Sequence, residues 1–394
     1  MRQLFIVLFL LVSWQIVAQH RVRPDALPPD VRKPAKGIIM ASSLEEMDSW
    51  QAYPTYDVYL QMMRRFVERY PDLCHIDTIG RSVQGRLLLA LVIDGGSAEG
   101  KREMFYSASI HGDELVPYYL MLRLCDTLLR SYGSDADITY LLDHISVCVN
   151  PLNNPDGTYF GGDSTVAAAE RYNANGVDLN RNYPDPFGAI ALDPLQPENK
   201  QQIDYICNHH FVLSATLHGG AEVLNYPWDS FTSATRANEH DQWWQQVCSR
   251  FIERGRQFDA EFFTDVCDEG YIVGGDWYVI RNGRQDYLNF YHGIRELTME
   301  VSVAKMPPSS QLDDSWNALA PSLIGYIGEA LNIDVLSVEK ITPISIQSMV
   351  YPNPTRGVAY IKTSMGIHAF DLSNRAPGIY PLRVDGRVYK IVKL

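Results

Sequence analysis

The chain has 394 residues, 46% hydrophobic and 21% charged, with 34 Lys and Arg against 47 Asp and Glu for a formal charge of −13. That length accommodates one large domain and something smaller, and the composition is that of a globular protein. The acidic balance argues against nucleic acid or an anionic membrane surface as a partner.

Arg2 precedes the apolar run Leu4–Val12, and Val17-Ala18-Gln19 offers small residues for cleavage. Residues 1–19 therefore read as a secretory signal peptide, which predicts an exported protein. No cysteine follows the run, so a lipoprotein anchor is not indicated, and no later stretch is long and apolar enough to span a bilayer. Cys74, Cys125, Cys148, Cys207, Cys248 and Cys267 make an even count that export allows to pair, but their spacing ranks no pairing and contains no C-x-x-C. Seven Trp and 23 Tyr indicate a thick core.

Residues 20–50, rich in Pro and charge, read as an extended lead-in. Tyr59, Met62, Met63 and Phe66 recur at helical spacing over Tyr56–Tyr70, and Pro71 ends the pattern. Strand-like runs follow at His75–Ile79, Leu87–Ile93 and Met104–Ile110, then a helix pattern over Val116–Arg130 and a buried strand at His144–Val149. Asn150–Asp193, dense in Asn, Asp, Gly and Pro, is far longer than an ordinary connection, and such loops tend to be functional. Regular structure resumes with a helix at Glu198–Asn208, a strand at Phe211–Leu217, a helix at Asp241–Gly255, a strand at Glu296–Val301 and a last helix near Trp316–Leu331. This alternation predicts an α/β fold with a mixed, largely parallel central sheet and helices on both faces. After Asn332 the texture changes: residues 335–349 read as a linker and 350–394 as a small β module of short alternating strands.

Three strand ends carry candidate chemistry. Met104–Ile110 runs into His111-Gly112-Asp113-Glu114, the H-x-x-E spacing with which one turn presents an imidazole and a carboxylate to a zinc ion. Gly112 eases that turn. Alone, the pair is equally a loop with two solvated side chains. Phe211–Leu217 ends in His218-Gly219-Gly220, and in open α/β sheets sites gather at the carboxyl ends of strands. Two imidazoles and one carboxylate with a fourth position open form a catalytic rather than a structural zinc set. Glu300 sits inside the apolar run Leu297–Val301, where it is either a general base beside a metal-bound water or half of a buried salt bridge. Arg171 and Arg181, in the long loop, have the fork geometry for holding a carboxylate or polarising a carbonyl, or are simply solvated.

In order along the chain stand H-x-x-E, Asn154-Pro155-Asp156-Gly157, Gly176-Val177-Asp178-Leu179-Asn180-Arg181-Asn182-Tyr183, Leu217-His218-Gly219-Gly220, Asn225-Tyr226-Pro227-Trp228-Asp229 and Met299-Glu300-Val301-Ser302. Together they resemble the zinc metallocarboxypeptidases, most of all the regulatory carboxypeptidase N/E subfamily, over about Tyr56–Leu331. The resemblance implies a catalytic domain over residues 51–334 with one Zn2+ held by His111, Glu114 and His218, and Glu300 as the catalytic carboxylate. It implies that Arg171, nine residues before Asn180, polarises the scissile carbonyl and that Asn180 and Arg181 bind the free C-terminal carboxylate of a peptide or protein. Tyr278, 22 residues before Glu300, matches a mobile tyrosine that closes over substrate.

Asp229, eleven residues after His218, and Gln285 resemble the residues that receive a C-terminal Lys or Arg side chain. The strip usually reading Gly-Gly-Met-Gln-Asp is here Asn282-Gly283-Arg284-Gln285-Asp286. Arg284 repels a basic substrate if it points into the pocket and leaves basic specificity standing if it points to solvent. The stretch before Tyr56 is too short for the folded pro-domain of the digestive branch. The C-terminal module is short for a transthyretin-like domain, and Tyr351-Pro352-Asn353-Pro354-Thr355-Arg356-Gly357, Gly378-Ile379-Tyr380 and the lysine-bearing end resemble the sorting tails of type IX secretion in Bacteroidetes. The expectation is a carboxypeptidase secreted to the periplasm or outer surface of a bacterium, with the type IX machinery as a tail partner. A zinc peptidase acting on peptidoglycan stem peptides and a catalytically silent binding protein on the same scaffold are the alternatives.

Overall fold

The computed structural model describes residues 36–96, 100–189, 191 and 193–333, and beyond them 348–351, 358–363, 366–376, 378–384 and 387–393. The expected signal peptide, the lead-in up to residue 35, the linker up to residue 347 and residues 352–357 of the tail motif lie outside the described residues.

Eight strands form one sheet: β1 (Cys74–Arg81), β2 (Leu87–Ile93), β3 (Arg102–Ala108), β4 (Ile145–Asn150), β5 (Phe211–His218), β6 (Ala221–Tyr226), β7 (Tyr271–Val273) and β8 (Arg295–Ser302). Their spatial order is β1-β2-β4-β3-β5-β8-β6-β7. The four central strands β4, β3, β5 and β8 run parallel, and β2 and β6 flank them antiparallel. From β3 the chain steps to β4 on one side and later returns to β5 on the other, so the strand order reverses between β3 and β5. A crevice opens at the carboxyl ends of strands at such a point, and these two strands lead into His111 and His218.

The helices are α1 (Tyr56–Arg69), α2 (Leu115–Ser131), α3 (Ala136–His144), α4 (Pro197–Cys207), α5 (Asp241–Arg256), α6 (Arg284–His292) and α7 (Leu312–Gly328). The period-2 alternation of β3 divides the core. Met104, Tyr106 and Ala108 pack with Met62, Phe66, Leu120, Trp244, Phe251 and Leu323 of α1, α2, α5 and α7. Phe105 faces the other way, among Leu88, Cys148, Ile206, Phe211 and Leu288, under α4 and α6. Two buried tyrosines fasten α7 to the sheet side: Tyr106 donates its hydroxyl to Leu323 O at 2.8 Å, and Tyr326 to Ser214 O at 2.9 Å. The expected mixed sheet with helices on both faces is the observed architecture.

Several boundaries differ from the sequence expectation. β3 ends at Ala108, not Ile110, because Ser109 adopts a left-handed φ of 54° that turns the chain out of the sheet. The strand expected from His144 starts at Ile145: His144 closes α3, its Nδ1 2.7 Å from Tyr140 O. The elements not expected include α3, β6, β7 and α6, and the end of the lead-in is not simply extended: Met40–Ala41 pairs in parallel with Tyr53–Pro54, and Leu44–Met47 forms one helical turn. α3 shows its start only through Asp135, which caps Asp137 N and Ile138 N, and buries only Ile138 and Leu142.

The six cysteines are free thiols, five of them buried. Among the described residues no helix is long and apolar enough to cross a membrane. The C-terminal strands β9 (Ser348–Tyr351), β10 (Val358–Thr363) and β11 (Gly366–Asp371) form an antiparallel sheet, and β12 (Gly378–Val384) and β13 (Arg387–Lys393) a hairpin.

Candidate active site

The turn after β3 is set by Ser109, whose Oγ donates to Glu114 O at 3.1 Å across it. Gly112, expected to ease the turn, does not adopt a left-handed φ. It is glycine because other backbone crowds it: a Cβ there would lie 2.3 Å from Gly157 C and 2.4 Å from Thr158 N. Glu114 is the N-cap of α2, where the helix dipole favours a negative charge.

His111, Glu114 and His218 meet at the β3–β5 crevice, each no more than 3% exposed. One donor atom from each lies within 4.8 Å of the others. His111 Nδ1 is 2.9 Å from Glu114 Oε1 and 3.1 Å from His218 Nδ1, and His218 Nδ1 is 2.9 Å from Glu114 Oε2. Two ring nitrogens and a carboxylate converging out of water fit a zinc ion. On the far side of the ring, His111 Nε2 lies 3.1 Å from Asp178 Oδ1, an arrangement that leaves the Nδ1 lone pair directed at the cluster. Both Glu114 oxygens are also clamped, Oε1 by Lys305 Nζ at 3.0 Å and Oε2 by Gly219 N–H at 3.1 Å. Burial alone would raise the Glu114 pKa, but His111, Lys305 and His218 hold it well below the usual carboxylate range. Burial pulls His218 down to about 4, against the pull of Glu114.

Glu300 lies on β8 directly across from His218 of β5 and Val223 of β6. It is buried, and its Oε2 has no hydrogen-bond partner among the described residues. Burial, and then the neighbouring Glu114, push its pKa well above the carboxylate range. Glu300 is therefore not half of a buried salt bridge; it is an unpaired carboxyl on the wall of the cavity. Arg171 is held by Asp178 through Nε at 3.1 Å and Nη2 at 2.9 Å, and its Nη1 lies 3.1 Å from His111 Nδ1. Burial works against the Arg171 charge, but Asp178 and then Glu114 outweigh it and raise its pKa.

These groups line one cavity of about 570 Å³ together with Asn180, Arg181, Asn225, Asp229, Tyr278, Ile280 and Thr298. Asn180 Oδ1 accepts from Arg284 N–H at 2.9 Å, so the carbonyl side of its amide is engaged and the amino side remains. Arg181 has no ion-pair partner among the described residues; its Nη1 donates to Asn180 O at 2.9 Å. Tyr278 is half-buried on the cavity wall, its pKa raised chiefly by burial.

Asp229, 3% exposed, receives Gln285 Nε2 on Oδ1 at 2.7 Å, and Gln285 Oε1 accepts from Thr298 N–H at 2.7 Å. Its loop is pinned by Asp286, which accepts from the N–H groups of Asp229 and Ser230, both at 2.9 Å. Burial and the proximity of Asp286 push the Asp229 pKa well above the usual range. Gly274 clears the space, since a Cβ there would lie 2.0 Å from Asp229 Oδ1.

Arg284 answers to neither alternative posed by the sequence. Its side chain is fully buried and points inward, Nε 2.7 Å from Glu296 Oε1 and the guanidinium 5.1 Å from the Phe105 ring centroid. Its charge is matched beneath the sheet, and it does not line the cavity.

All ten predicted site residues are thus brought to one place, nine on the cavity wall and Gln285 behind Asp229. Sequence reasoning assigned no role to Asp178, Lys305 and Asn225. Asp178 stood in the quoted Gly-Val-Asp-Leu-Asn-Arg run and Asn225 seven residues after His218, whereas nothing local in the sequence marks Lys305. Asn225 pairs with Thr298 across β6 and β8, and its Oδ1 is buried without a partner among the described residues.

Comparison with known proteins agrees with this geometry. The zinc carboxypeptidase family matches residues 59–322. Mouse carboxypeptidase M is 34% identical over 281 residues, covering 67% of this chain and 62% of that protein. Human carboxypeptidase D is 31% identical over 289 residues, 70% of this chain but 21% of that protein, so the chain spans about a fifth of it. In fold, the chain is similar to thrombin-activatable fibrinolysis inhibitor (TM-score 0.64, 17% identity, covering 72% of this chain and 76% of that one). It is similar also to carboxypeptidase A from Helicoverpa armigera (TM-score 0.62, 18% identity, covering 75% and 77%). With its His-Glu-His set and a family match over most of its length, the chain belongs to the zinc carboxypeptidases.

Proposed function

We propose that this protein removes C-terminal Lys or Arg from peptides or proteins outside the cell. The observation that carries the reading is the convergence on one cavity of a metal-binding set, a carboxyl and a guanidinium without ion-pair partners among the described residues, and the buried Asp229. Arg181 and the amino side of Asn180 suit a free C-terminal carboxylate, the feature that separates an exopeptidase from an endopeptidase. Asp229, oriented by Gln285, is the acceptor for the last side chain, and the acceptor-rich Asn225 Oδ1 extends it. A cation seated there relieves the cost of burying the Asp229 charge, whereas an apolar side chain leaves that cost standing.

His111, Glu114 and His218 would hold the zinc ion, which would supply Lewis acidity at the reacting centre. Arg171 donates to the carbonyl oxygen as negative charge develops on it. Glu300 takes the proton from the attacking water and passes it to the departing amine. Tyr278 closes over the bound residue and excludes solvent.

The test is hydrolysis of matched peptides ending in Arg, Lys, Phe, Leu or Glu, run beside Glu300→Gln and a chelated sample. Release of Arg and Lys alone, abolished in both controls, is expected. Preference for Phe, Leu or Glu keeps the mechanism and removes Asp229 as selector. Cleavage of stem peptides alone assigns a cell-wall substrate, and zinc binding without any turnover assigns a binding protein.

Export rests on the signal-like residues 1–19 and on the tail-like β module. The mass of the protein recovered outside the cell checks both, because retention of residues 1–19 or an intracellular product would overturn it.

A further inference from the structure

Asn154 opens the Asn-Pro-Asp-Gly run, and none of the chemistry above uses it. It is completely buried. Its Oδ1 accepts from Gly157 N–H at 2.9 Å, closing its own turn. Its Nδ2 donates to two carbonyls on separate segments, Ile110 at 3.3 Å and Arg171 at 3.2 Å. Ile110 immediately precedes the metal-set residue His111, and Arg171 carries the guanidinium beside it.

Other bonds join the same three segments. Arg171 O also accepts from Gly112 N–H at 3.2 Å, and Glu170 N–H donates to Gly157 O at 2.8 Å. Thr158 Oγ1 donates to Gly112 O at 2.9 Å. Two glycines face each other at the junction. A Cβ on Gly157 would lie 2.6 Å from both Asn154 Nδ2 and Tyr172 O, just as one on Gly112 would collide with Gly157 and Thr158. At the two glycines the segments touch peptide group to peptide group, and the Asn154 amide and Thr158 hydroxyl bridge them. At its other end the Arg171 side chain is held by Asp178. Arg171 is therefore anchored through both its carbonyl and its guanidinium.

We propose that Asn154 is a positioning residue for Arg171. Its amide sets the separation between the turn bearing His111 and the loop bearing Arg171, and so where the guanidinium meets the substrate carbonyl oxygen. This rests on the carboxypeptidase reading of the site. A displacement of about 1 Å in such a group costs about 100-fold in rate, so a residue that touches neither substrate nor metal has a kinetic effect through Arg171 alone.

The test is a double-mutant cycle with C-terminal Arg substrates, using Asn154→Ala, Arg171→Ala and the pair. Asn154→Ala is expected to lower kcat by about 30- to 100-fold, with KM within about twofold and metal stoichiometry unchanged. In the Arg171→Ala background the same change is expected to cost less than about twofold more, because the group it positions is gone. Losses that multiply in the pair, or a loss that appears as lost metal or raised KM with kcat retained, overturn the inference. Thr158→Val removes only the bond to Gly112 O and decides the matter if Asn154→Ala does not fold. Its expected loss is about 3- to 10-fold, again absent without Arg171, and a loss that persists without Arg171 overturns the proposal. Wild-type protein that releases no C-terminal residue overturns the carboxypeptidase reading and this inference with it, whereas turnover with multiplying losses overturns the inference alone.

Discussion

Asp178 holds His111 and Arg171 at once: Oδ1 lies 3.1 Å from His111 Nε2, and Oδ2 takes Nη2 of Arg171 at 2.9 Å. Burial would raise its pKa, but these two neighbours, His111 foremost, depress it strongly, so it is a carboxylate at any working pH. One half-buried anion orients both a metal-set imidazole and the cation beside it.

Asp178→Asn is accordingly expected to weaken zinc binding by about 10- to 100-fold, read by competition with a chromophoric chelator. An unchanged affinity would show that Asp178 serves Arg171 only.

Asp229→Asn is expected to lower kcat/KM for C-terminal Arg by about 100-fold or more while leaving C-terminal Leu within about threefold. Kinetics on the two peptides check this, and a parallel loss on both would mean that Asp229 supports the loop and not the selection. Asn225→Leu tests the same pocket more gently, with a loss of about tenfold expected on Arg.

Arg284→Met leaves Glu296 buried without its cation, and is expected to destabilise the fold by about 3–5 kcal/mol in denaturant unfolding. The Arg-to-Leu preference of the folded fraction is expected to stay constant, since the side chain lies outside the pocket. Replacing Glu296 by Met as well is expected to recover most of the stability. A shifted preference would put the side chain in the pocket after all.

Glu222, on β6, has its pKa pushed up to about 7 by burial, with Asp265 adding to the effect. Unfolded, it loses its proton near the ordinary 4.5; folded, it keeps it until about 7. Between those values the folded state binds more protons, so this group's contribution to stability falls as pH rises through the window. Glu222→Gln is expected to flatten that decline, by at most about 3 kcal/mol over the window, in melting temperatures taken from pH 4 to 8. An unchanged slope would exclude Glu222 as its source.

The sheet was legible because β2, β3, β5 and β8 are apolar runs with clear ends, and the site because its polar residues interrupt those ends. What escaped was decided by distant partners. β7 is three residues long, and the α6 sequence begins in a strip that reads as pocket lining, though only its backbone and Gln285 serve the pocket while Arg284 turns away to Glu296. Gly112 was read from its own turn alone, whereas the backbone that demands glycine there, at Gly157, is 45 residues away, and no local pattern discloses such an approach. Lys305 lies 191 residues from the carboxylate it clamps. Composition and periodicity speak for a residue's own element, and these contacts belong to pairs of elements.

The reversal of strand order between β3 and β5 has a consequence for how the protein matures. His111 and His218 are 107 residues apart, and Lys305 enters from the connection after β8, near the end of the domain. No contiguous stretch of the chain owns the whole zinc set, so an incompletely folded polypeptide offers the ion at most His111 with Glu114, without His218. Metal capture then follows the pairing of β3 with β5, and zinc retention marks a domain in which those two strands have met.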